Sequence, residues 1–251
     1  HTIVFRESTT IRSEEHMDGN KVIEKLMCFG LTRQEAVIYL CLAKNGDLTG
    51  YEVAKQTRIS RSNAYNGLAG LVDKGAAYAA EGAAVRYHAV DVDEFCANKI
   101  RALEELRSEI KSSMPVQREE AEGYLTIEGD RHIRDKARNM IEGSRHRVYL
   151  SMTERFVRLF EKEIKSAVRE GKKVVILTDR PLEFPGALCY KTQEKGVQIG
   201  VIADSSHVLT GELGREEESS CLYTGQPNFV RVFKDSMHNE IELIRLLKGE
   251  S

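Results

Sequence analysis

The residues best suited to chemistry in this 251-residue chain follow Ser60, where Arg61, Ser62, Asn63 and Asn66 fall on one side of a helical repeat. Arginine pairs bidentately with guanine and asparagine with adenine, while a serine hydroxyl at a helix N-terminus suits a phosphate. Such a row either reads nucleic acid or is a solvated helix face. Its charge setting gives modest support to the first: from Lys44 to Lys74, Lys44, Lys55, Arg58, Arg61 and Lys74 stand against Asp47, Glu52 and Asp73, a net of +2. No other constellation competes. There is no Walker loop, no G-x-S-x-G and no H-x-x-x-H or H-E-x-x-H spacing, so P-loop hydrolysis, serine hydrolysis and zinc chemistry lack their residues. His132, His146 and His238 are isolated and read as surface or satisfied histidines. Neither a metal nor a cofactor is expected.

Three helices and a hairpin must position that row. Thr32 and Glu35 form a capping box that opens a helix with Ala36, Val37, Tyr39, Leu40 and Ala43 as its apolar side, ended by Asn45-Gly46. A short helix follows from about Gly50 to Thr57, with Tyr51, Val53 and Ala54 inward. Ser60 then caps a third helix, inward at Ala64, Tyr65, Leu68, Leu71 and Val72, and Lys74-Gly75 stops it. Gly67 and Gly70 are read as outward, where they would let another backbone come close. Ala76 to Ala80 and Val85 to Val90 are two extended runs around a Glu81-Gly82-Ala83-Ala84 loop. Three helices and a hairpin make a winged helix-turn-helix, whose third helix enters the major groove while the hairpin touches the backbone beside it. The candidate DNA-contacting residues are therefore Arg58, Arg61, Ser62, Asn63, Asn66, Lys74 and Arg86.

Length and composition suit one large or two ordinary domains: 41% of residues are hydrophobic and 30% charged, with a net charge of −2. Any nucleic-acid surface must then be local. No apolar run approaches the ~20 residues that cross a bilayer, and the five cysteines, Cys28, Cys41, Cys96, Cys189 and Cys221, are scattered without a C-x-x-C pair. Both features point to the cytoplasm, with buried structural thiols. Residues 1–16, ahead of Met17, read as a cloning-derived or disordered leader, and Ile3-Val4-Phe5 within them as a possible short strand. The winged-helix domain takes 17–90, beginning with a helix from Asp18 to Phe29 that puts Val22, Ile23, Leu26 and Met27 on one side and stops at Gly30.

Residues 91–122 form a dimerisation or linker segment. Asp91 caps a helix to about Ser113 with Val92, Phe95, Cys96, Ile100, Leu103, Leu106, Ile110 and Met114 in one stripe. That stripe packs either on its own domain or on a second copy. The second is favoured, because winged helices commonly read paired half-sites. Pro115 ends the helix and Gln117 to Glu122 is a charged linker.

From 123 to 251 strand and helix patterns alternate, giving an α/β domain with a mixed sheet. The strands are Tyr124–Ile127, Arg147–Ser151, an apolar and central Lys173–Thr178, and Val197–Ile202, with weaker candidates at Ser206–Thr210, Cys221–Tyr223 and Phe229–Phe233. The helices run from Gly129 or Asp130 to Ile141, from Thr153 through Phe160 and Val168 to Gly171, and onward from a cap at Asp235. Glu216-Glu217-Glu218 is a solvated loop.

Several spaced motifs carry a family likeness. Gly30-Leu31-Thr32-x-x-Glu35-Ala36-x-x-Tyr39-Leu40, Tyr51-Glu52-Val53-Ala54, Arg61-Ser62-x-x-Tyr65-x-x-Leu68, Lys74-Gly75 and Arg86-Tyr87-x-Ala89-Val90 together resemble the DNA-binding domain of TrmB-type transcriptional regulators. Behind it, Val148-Tyr-Leu-Ser151 with Lys173-Val-Val-Ile-Leu177 resembles half of a phospholipase D-type fold, the effector domain of that family. Active phospholipase D-type enzymes use a histidine nucleophile with a lysine two residues on, in the pattern H-x-K-x-x-x-x-D. Here His207 is followed by Leu209 at the cation position, and Thr224-Gly225-Gln226-Pro227-Asn228 only echoes a second motif, G-S-x-x-N. The resemblance thus implies a catalytically inactive domain kept for sensing.

Ligands of such sheets sit at strand C-terminal ends, which selects Ser151, Thr178, Asp179, Asp204, His207 and Thr224. Their hydroxyls and carboxylates suit a polyol, matching the sugar-responsive members of the family. The expected partners are double-stranded DNA, a second copy of the chain through 91–114 and a small molecule such as a sugar, with no membrane. The alternatives are a phosphodiesterase or nuclease of the phospholipase D type, and a winged helix that binds protein.

Overall fold

The structure, a computed structural model, describes residues 19–115 and 123–248. The expectations for the leader and for Gln117 to Glu122 lie outside the described residues. Two compact units divide at Val116 and Gln117.

In the first unit, α1 (Gly19–Cys28) buries Ile23 and Leu26 while Val22 and Met27 stay exposed, and Gly30 ends it with φ +92°. Helix α2 (Arg33–Asn45) opens on the expected capping box: the Thr32 hydroxyl accepts from Glu35 N and the Glu35 carboxylate from Thr32 N. Its buried face is Glu35, Ala36, Ile38, Tyr39 and Leu42, so Ile38 and Leu42 replace the expected Val37, Leu40 and Ala43. The helix turns a carboxylate inward, which shifts the buried stripe around its axis.

A two-residue strand β1 (Leu48–Thr49) leads into α3 (Gly50–Thr57), which Thr49 and Glu52 open with a second capping box. Helix α4 (Arg61–Asp73) follows, then β2 (Ala77–Ala80) and β3 (Arg86–Ala89). The hairpin is joined by β1 in a sheet of order β1-β3-β2, Thr49 opposite Arg86 and Ala80 opposite Arg86 across the hairpin. Leu31, Ala36, Ile38, Leu42, Val53, Ala64, Leu68 and Leu71 form one core.

Helix α5 (Val92–Ser113) starts on a side-chain cap, the Asp91 carboxylate accepting from Asp93 N and Glu94 N. Phe95, 1% exposed, packs against the rings of Phe29 and Tyr39, and the Tyr39 hydroxyl donates to Val90 O at 2.7 Å. The first turns of α5 are thus rooted in the winged-helix core. Beyond them Ile100, Leu103, Leu106, Ile110 and Met114 are about half exposed or more.

The second unit is a seven-stranded sheet of order β4-β10-β9-β8-β5-β6-β7: β4 (Tyr124–Glu128), β5 (Arg147–Met152), β6 (Lys173–Thr178), β7 (Leu188–Lys191), β8 (Gln198–Ala203), β9 (His207–Glu212) and β10 (Ser220–Thr224). Only the β5–β6 and β6–β7 pairs are parallel. Helices α6 (Asp130–Gly143), α7 (Glu154–Leu159) and α8 (Glu161–Arg169) cover one face, and α9 (Pro227–Lys248) covers the other.

Four details differ from expectation. The helix after Thr153 breaks at Phe160 (φ −110°) into α7 and α8, because that fully buried ring is drawn into the core. Phe229 to Phe233, read as a strand, belongs to α9, so Asp235 lies inside that helix and does not cap it. Pro227 is an apt first helical residue, and Phe229, Val230, Phe233, Met237 and Ile241 recur at helical spacing against the sheet. Strand β6 is second from an edge, and its burial comes from the layers on both faces: Val174 and Ile176 meet α6 to α8, Val175 and Leu177 meet α9. Of the cysteines only Cys221 is buried, its thiol pushed up to about 12 by burial; all five are free.

Candidate functional site

Helix α4 presents two unlike faces. Ala64, Gly67, Leu68 and Leu71 are buried, while Arg61, Ser62, Asn63 and Asn66 are exposed on the first two turns. The Ser60 hydroxyl accepts from Asn63 N at 3.3 Å, so the cap fixes the turn that carries the row. The glycines serve the opposite face from the one expected. A Cβ on Gly67 would lie 2.5 Å from Ile38 Cδ1, and one on Gly70 would press on Glu35 Oε1. Both let α2 approach α4, and neither is spare room for a ligand.

The Arg61 guanidinium lies over the Tyr51 ring, 4.7 Å from its centroid. Tyr51 was expected inward but is 51% exposed. Tyr65, also expected inward, is half exposed and lies where a Cβ on Gly50 would come within 2.5 Å of its ring. The Thr49-x-x-Glu52 box, legible as a helix start, sets the phase of α3 and would have turned Tyr51 outward.

Arg58 is exposed in the turn between α3 and α4, in the left-handed region at φ +58°. On the wing, Arg86 donates from Nη1 to Asp47 O at 3.0 Å and lies 3.9 Å from Glu52 Oε2, with half its side chain exposed. Lys74 departs from the expected set. Its Nζ lies 2.6 Å from Glu35 Oε2, an ion pair with a carboxylate whose side chain is 9% exposed, so the Lys74 ammonium is engaged within the domain. Burial pushes the Glu35 carboxyl up, but hydrogen bonds from Lys74 and from Thr32 outweigh it and hold the carboxyl below its ordinary value.

In the second unit the six selected residues divide between opposite ends of the sheet. Ser151, Thr178 and Asp179 lie at the C-terminal ends of β5 and β6. Ala203 pairs with Val148 near the start of β5, so Asp204 falls at the other end, together with His207, opposite Ala203, and Thr224, opposite Val208. The single-site expectation therefore fails, because β8 runs antiparallel to β5 and the strand-end rule holds for parallel strands.

Several of the six are structural. The Asp179 carboxylate accepts from Glu154 N at 2.9 Å and so caps α7, while the Thr178 hydroxyl lies 3.3 Å from it. Asp204 accepts three backbone N–H groups, from Arg145, His146 and Arg147, at 2.7–2.9 Å. Burial raises the Asp204 carboxyl, but these bonds prevail and hold it below the usual range. The buried Thr224 hydroxyl donates to Gly123 O.

Members of the six line two of the concavities among the described residues. Ser151 lines one of ≈ 400 Å³ on the α9 side with Gln198, Thr210, Glu212, Phe233 and Glu240. His207 lines another of ≈ 290 Å³ at the opposite end of the sheet, its ring stacked on Tyr223 at 5.6 Å and 6°. Leu209, at the cation position of the resemblance, is fully buried in the apolar core. Among the described residues no group of His, Cys, Asp and Glu could hold a metal ion, and no single helix is long and apolar enough to cross a membrane.

Comparison with known proteins follows the same division. Residues 26–93 match the family described as sugar-specific transcriptional regulator TrmB, and residues 124–239 match the TrmB EBD N-terminal subdomain. An uncharacterized protein of Bacillus subtilis, YrhO, is 24% identical over 90% of this chain and 86% of its own length. The HTH-type sugar sensing transcriptional regulator TrmBL1 of Pyrococcus furiosus is 28% identical over 55% of this chain, which spans 42% of that protein. The structure of TrmBL2, an archaeal chromatin protein, aligns over 90% of this chain and 98% of its own at 19% identity, with a TM-score of 0.45. With a matching DNA-binding half and a matching effector half, this chain belongs to the family of TrmB-type transcriptional regulators, which bind DNA.

Proposed function

We propose that the chain binds DNA as a cytoplasmic homodimer through Arg61, Ser62, Asn63 and Asn66, with Arg58 and Arg86 on flanking phosphates, and that its second unit senses a small polyol without catalysis. The observation that carries this is the division of α4: four polar residues able to reach base edges and phosphates stand exposed on a helix whose other side is locked into the core. Seated in the major groove, Arg61 offers a fork for guanine O6 and N7, and Asn63 or Asn66 an amide for adenine N6 and N7. Lys74 has no part in this, being paired with Glu35.

The half-exposed stripe Ile100, Leu103, Leu106, Ile110 and Met114 supports the dimer, since covering the remaining exposed half of each such side chain contributes on the order of 1 kcal/mol. The sugar reading draws on the printed descriptions of the family and of TrmBL1, and on the cavity beside Ser151, where Thr210, Gln198, Glu212 and Glu240 offer polar groups around the Phe233 ring. Catalytic inactivity draws on Leu209: an apolar, fully buried side chain cannot hold charge developing on a phosphoryl oxygen. Purified protein is expected to hydrolyse a phosphodiester such as bis(p-nitrophenyl) phosphate no faster than its His207→Ala variant; turnover abolished by that substitution would reverse the reading.

The direct test is fluorescence anisotropy on duplexes from the protein's own upstream DNA. Arg61→Ala or Asn63→Ala should cost about 1–3 kcal/mol on that sequence for each lost bidentate contact, with little change on random DNA. Equal losses on both would move those residues from bases to phosphates.

A further inference from the structure

The seven-stranded sheet ends in two unlike edges. At one, β7 carries Lys191, and the Tyr190 hydroxyl accepts a hydrogen bond from Arg245, the charged kind of edge that resists further strand pairing. At the other, β4 reads Tyr-Leu-Thr-Ile-Glu, without lysine or proline, and leaves Tyr124 and Leu125 more than half exposed. Among the described residues β10 is its one strand partner. The ladder between them decides which groups face out. Gly129 N donates to Ser219 O at 2.8 Å, and these two continue the register in which Glu128 faces Ser220. Hydrogen-bonded pairs alternate along an antiparallel ladder, so Leu125 and Ile127 turn their backbone groups toward β10. Tyr124, Thr126 and Glu128 turn theirs to the open edge.

That edge is complementary to itself. Laid antiparallel against a second copy about a two-fold axis at Thr126, it places Thr126 opposite Thr126, Tyr124 opposite Glu128 and Leu125 opposite Ile127. The outward-facing residues then become hydrogen-bonded pairs, each exchanging both its N–H···O bonds. Leu125 and Ile127 share a face, and Ile127 already packs against the core beneath α6 to α8, so their pairing carries that core across the axis. The strand's charge, Glu128, meets Tyr124 and not another carboxylate, which avoids like charges in opposition. Any other register that keeps the faces matched leaves outward groups at one end without a partner.

We propose that β4 pairs edge to edge with β4 of a second copy, joining two seven-stranded sheets into one. The proposal rests on the α5 dimer read above. Strands of this length are too short to hold two free molecules together. Copies already joined along α5 are a different case. Each sheet is tied to α5 by the stretch from Met114 to Gly123, which spans at most ~30 Å when fully extended, and a tether that short gives an effective concentration in the millimolar range. The edge pairing therefore forms only behind an intact α5 seam, and it makes the two second units one body.

The test is mild oxidation of the full chain carrying Thr126→Cys, with Leu125→Cys and wild type as controls. Opposed residues of a hydrogen-bonded pair stand ~5.5 Å apart at Cα, inside the range that a disulfide spans. Thr126→Cys should give a covalent dimer; Leu125→Cys, whose two copies lie out of register with each other, and wild type should not. Adding Leu125→Lys, at an exposed position, should slow the cross-link about tenfold by removing both Leu–Ile pairs. Hydrogen exchange of the wild-type chain should find the Tyr124, Thr126 and Glu128 amides protected. Leu103→Glu with Leu106→Glu should expose those amides and abolish the cross-link. A wild-type dimer by light scattering whose edge amides exchange freely, and whose Thr126→Cys form does not cross-link, would overturn the edge and leave the α5 seam standing. Protection that persists in the Leu103→Glu, Leu106→Glu monomer would overturn it too, since the same chain would then cover its own edge. A cross-link that survives in a dimer of that variant would uphold the edge and remove the α5 seam.

Discussion

In the proposed role Arg61 has to stay exposed for a base and yet lose little freedom when it reaches one, and the Tyr51 ring beneath its guanidinium suits both needs. A planar fork laid on an aromatic face is held by about 0.5–1 kcal/mol at an exposed site and is already oriented before DNA arrives. Tyr51→Ala is therefore expected to weaken binding to upstream DNA by about that amount, whereas Tyr51→Phe leaves it unchanged. In an Arg61→Ala background Tyr51→Ala should have no effect, a double-mutant cycle read by anisotropy. Equal damage from Phe and Ala would mean that the hydroxyl itself touches DNA. Lys74 carries the opposite expectation. Lys74→Ala leaves Glu35 buried beside Thr32 without its cation and should destabilise the first unit by about 1–3 kcal/mol in urea unfolding, with the salt dependence of DNA binding unchanged. Because the Glu35 carboxyl sits below its ordinary value in the folded state, its contribution is fully present above the unfolded value and is lost as pH falls through the folded one. Wild type should thus lose stability on acidification in that window more steeply than Glu35→Gln. The capping role of Glu35 was legible from Thr32-x-x-Glu35; its pairing across 39 positions with Lys74 was not, since nothing local marks it.

Among the elements, α4 and α5 carry the proposed function, and each was legible to a different depth. The order of helices and hairpin followed from caps and apolar spacing, and the polar row on α4 was identified directly. Which way Gly67 and Gly70 pointed depended on α2, whose inward carboxylate the periodicity hid. Gly67→Ala would drive a methyl into Ile38 and is expected to cost about 1–3 kcal/mol of stability by overpacking, measured by thermal unfolding. For α5, Phe95 fixes the root of the helix in the winged-helix core, so whatever pairs with its outer stripe also sets where α4 points. Leu103→Glu combined with Leu106→Glu should yield a monomer by light scattering, with the unfolding midpoint of the winged-helix unit retained. A dimer that survives both charges would move the seam elsewhere. The second sheet shows the other limit of sequence reading. Most strands were recovered, though β7 (Leu188–Lys191) was missed and Phe229–Phe233 was misread as a strand; the list of strand-end residues scattered over both ends, because pattern alone does not say that β8 runs against β5.

At the scale of the whole molecule, a ligand in the second unit can change DNA affinity only by as much as it prefers one arrangement of the chain over another. Paired winged helices read half-sites whose separation mirrors the two-fold of the dimer, about one helical turn or a multiple of it apart. The central claim, that the exposed face of α4 reads sequence in two copies, is tested most directly by selecting bound duplexes from a random pool with wild-type protein and with the combined Arg61→Ala, Asn63→Ala, Asn66→Ala variant. Wild type should enrich two related half-sites at that spacing, and the variant should enrich none. A pool left without a motif by the wild-type protein, or the same motif enriched by the variant, would contradict it.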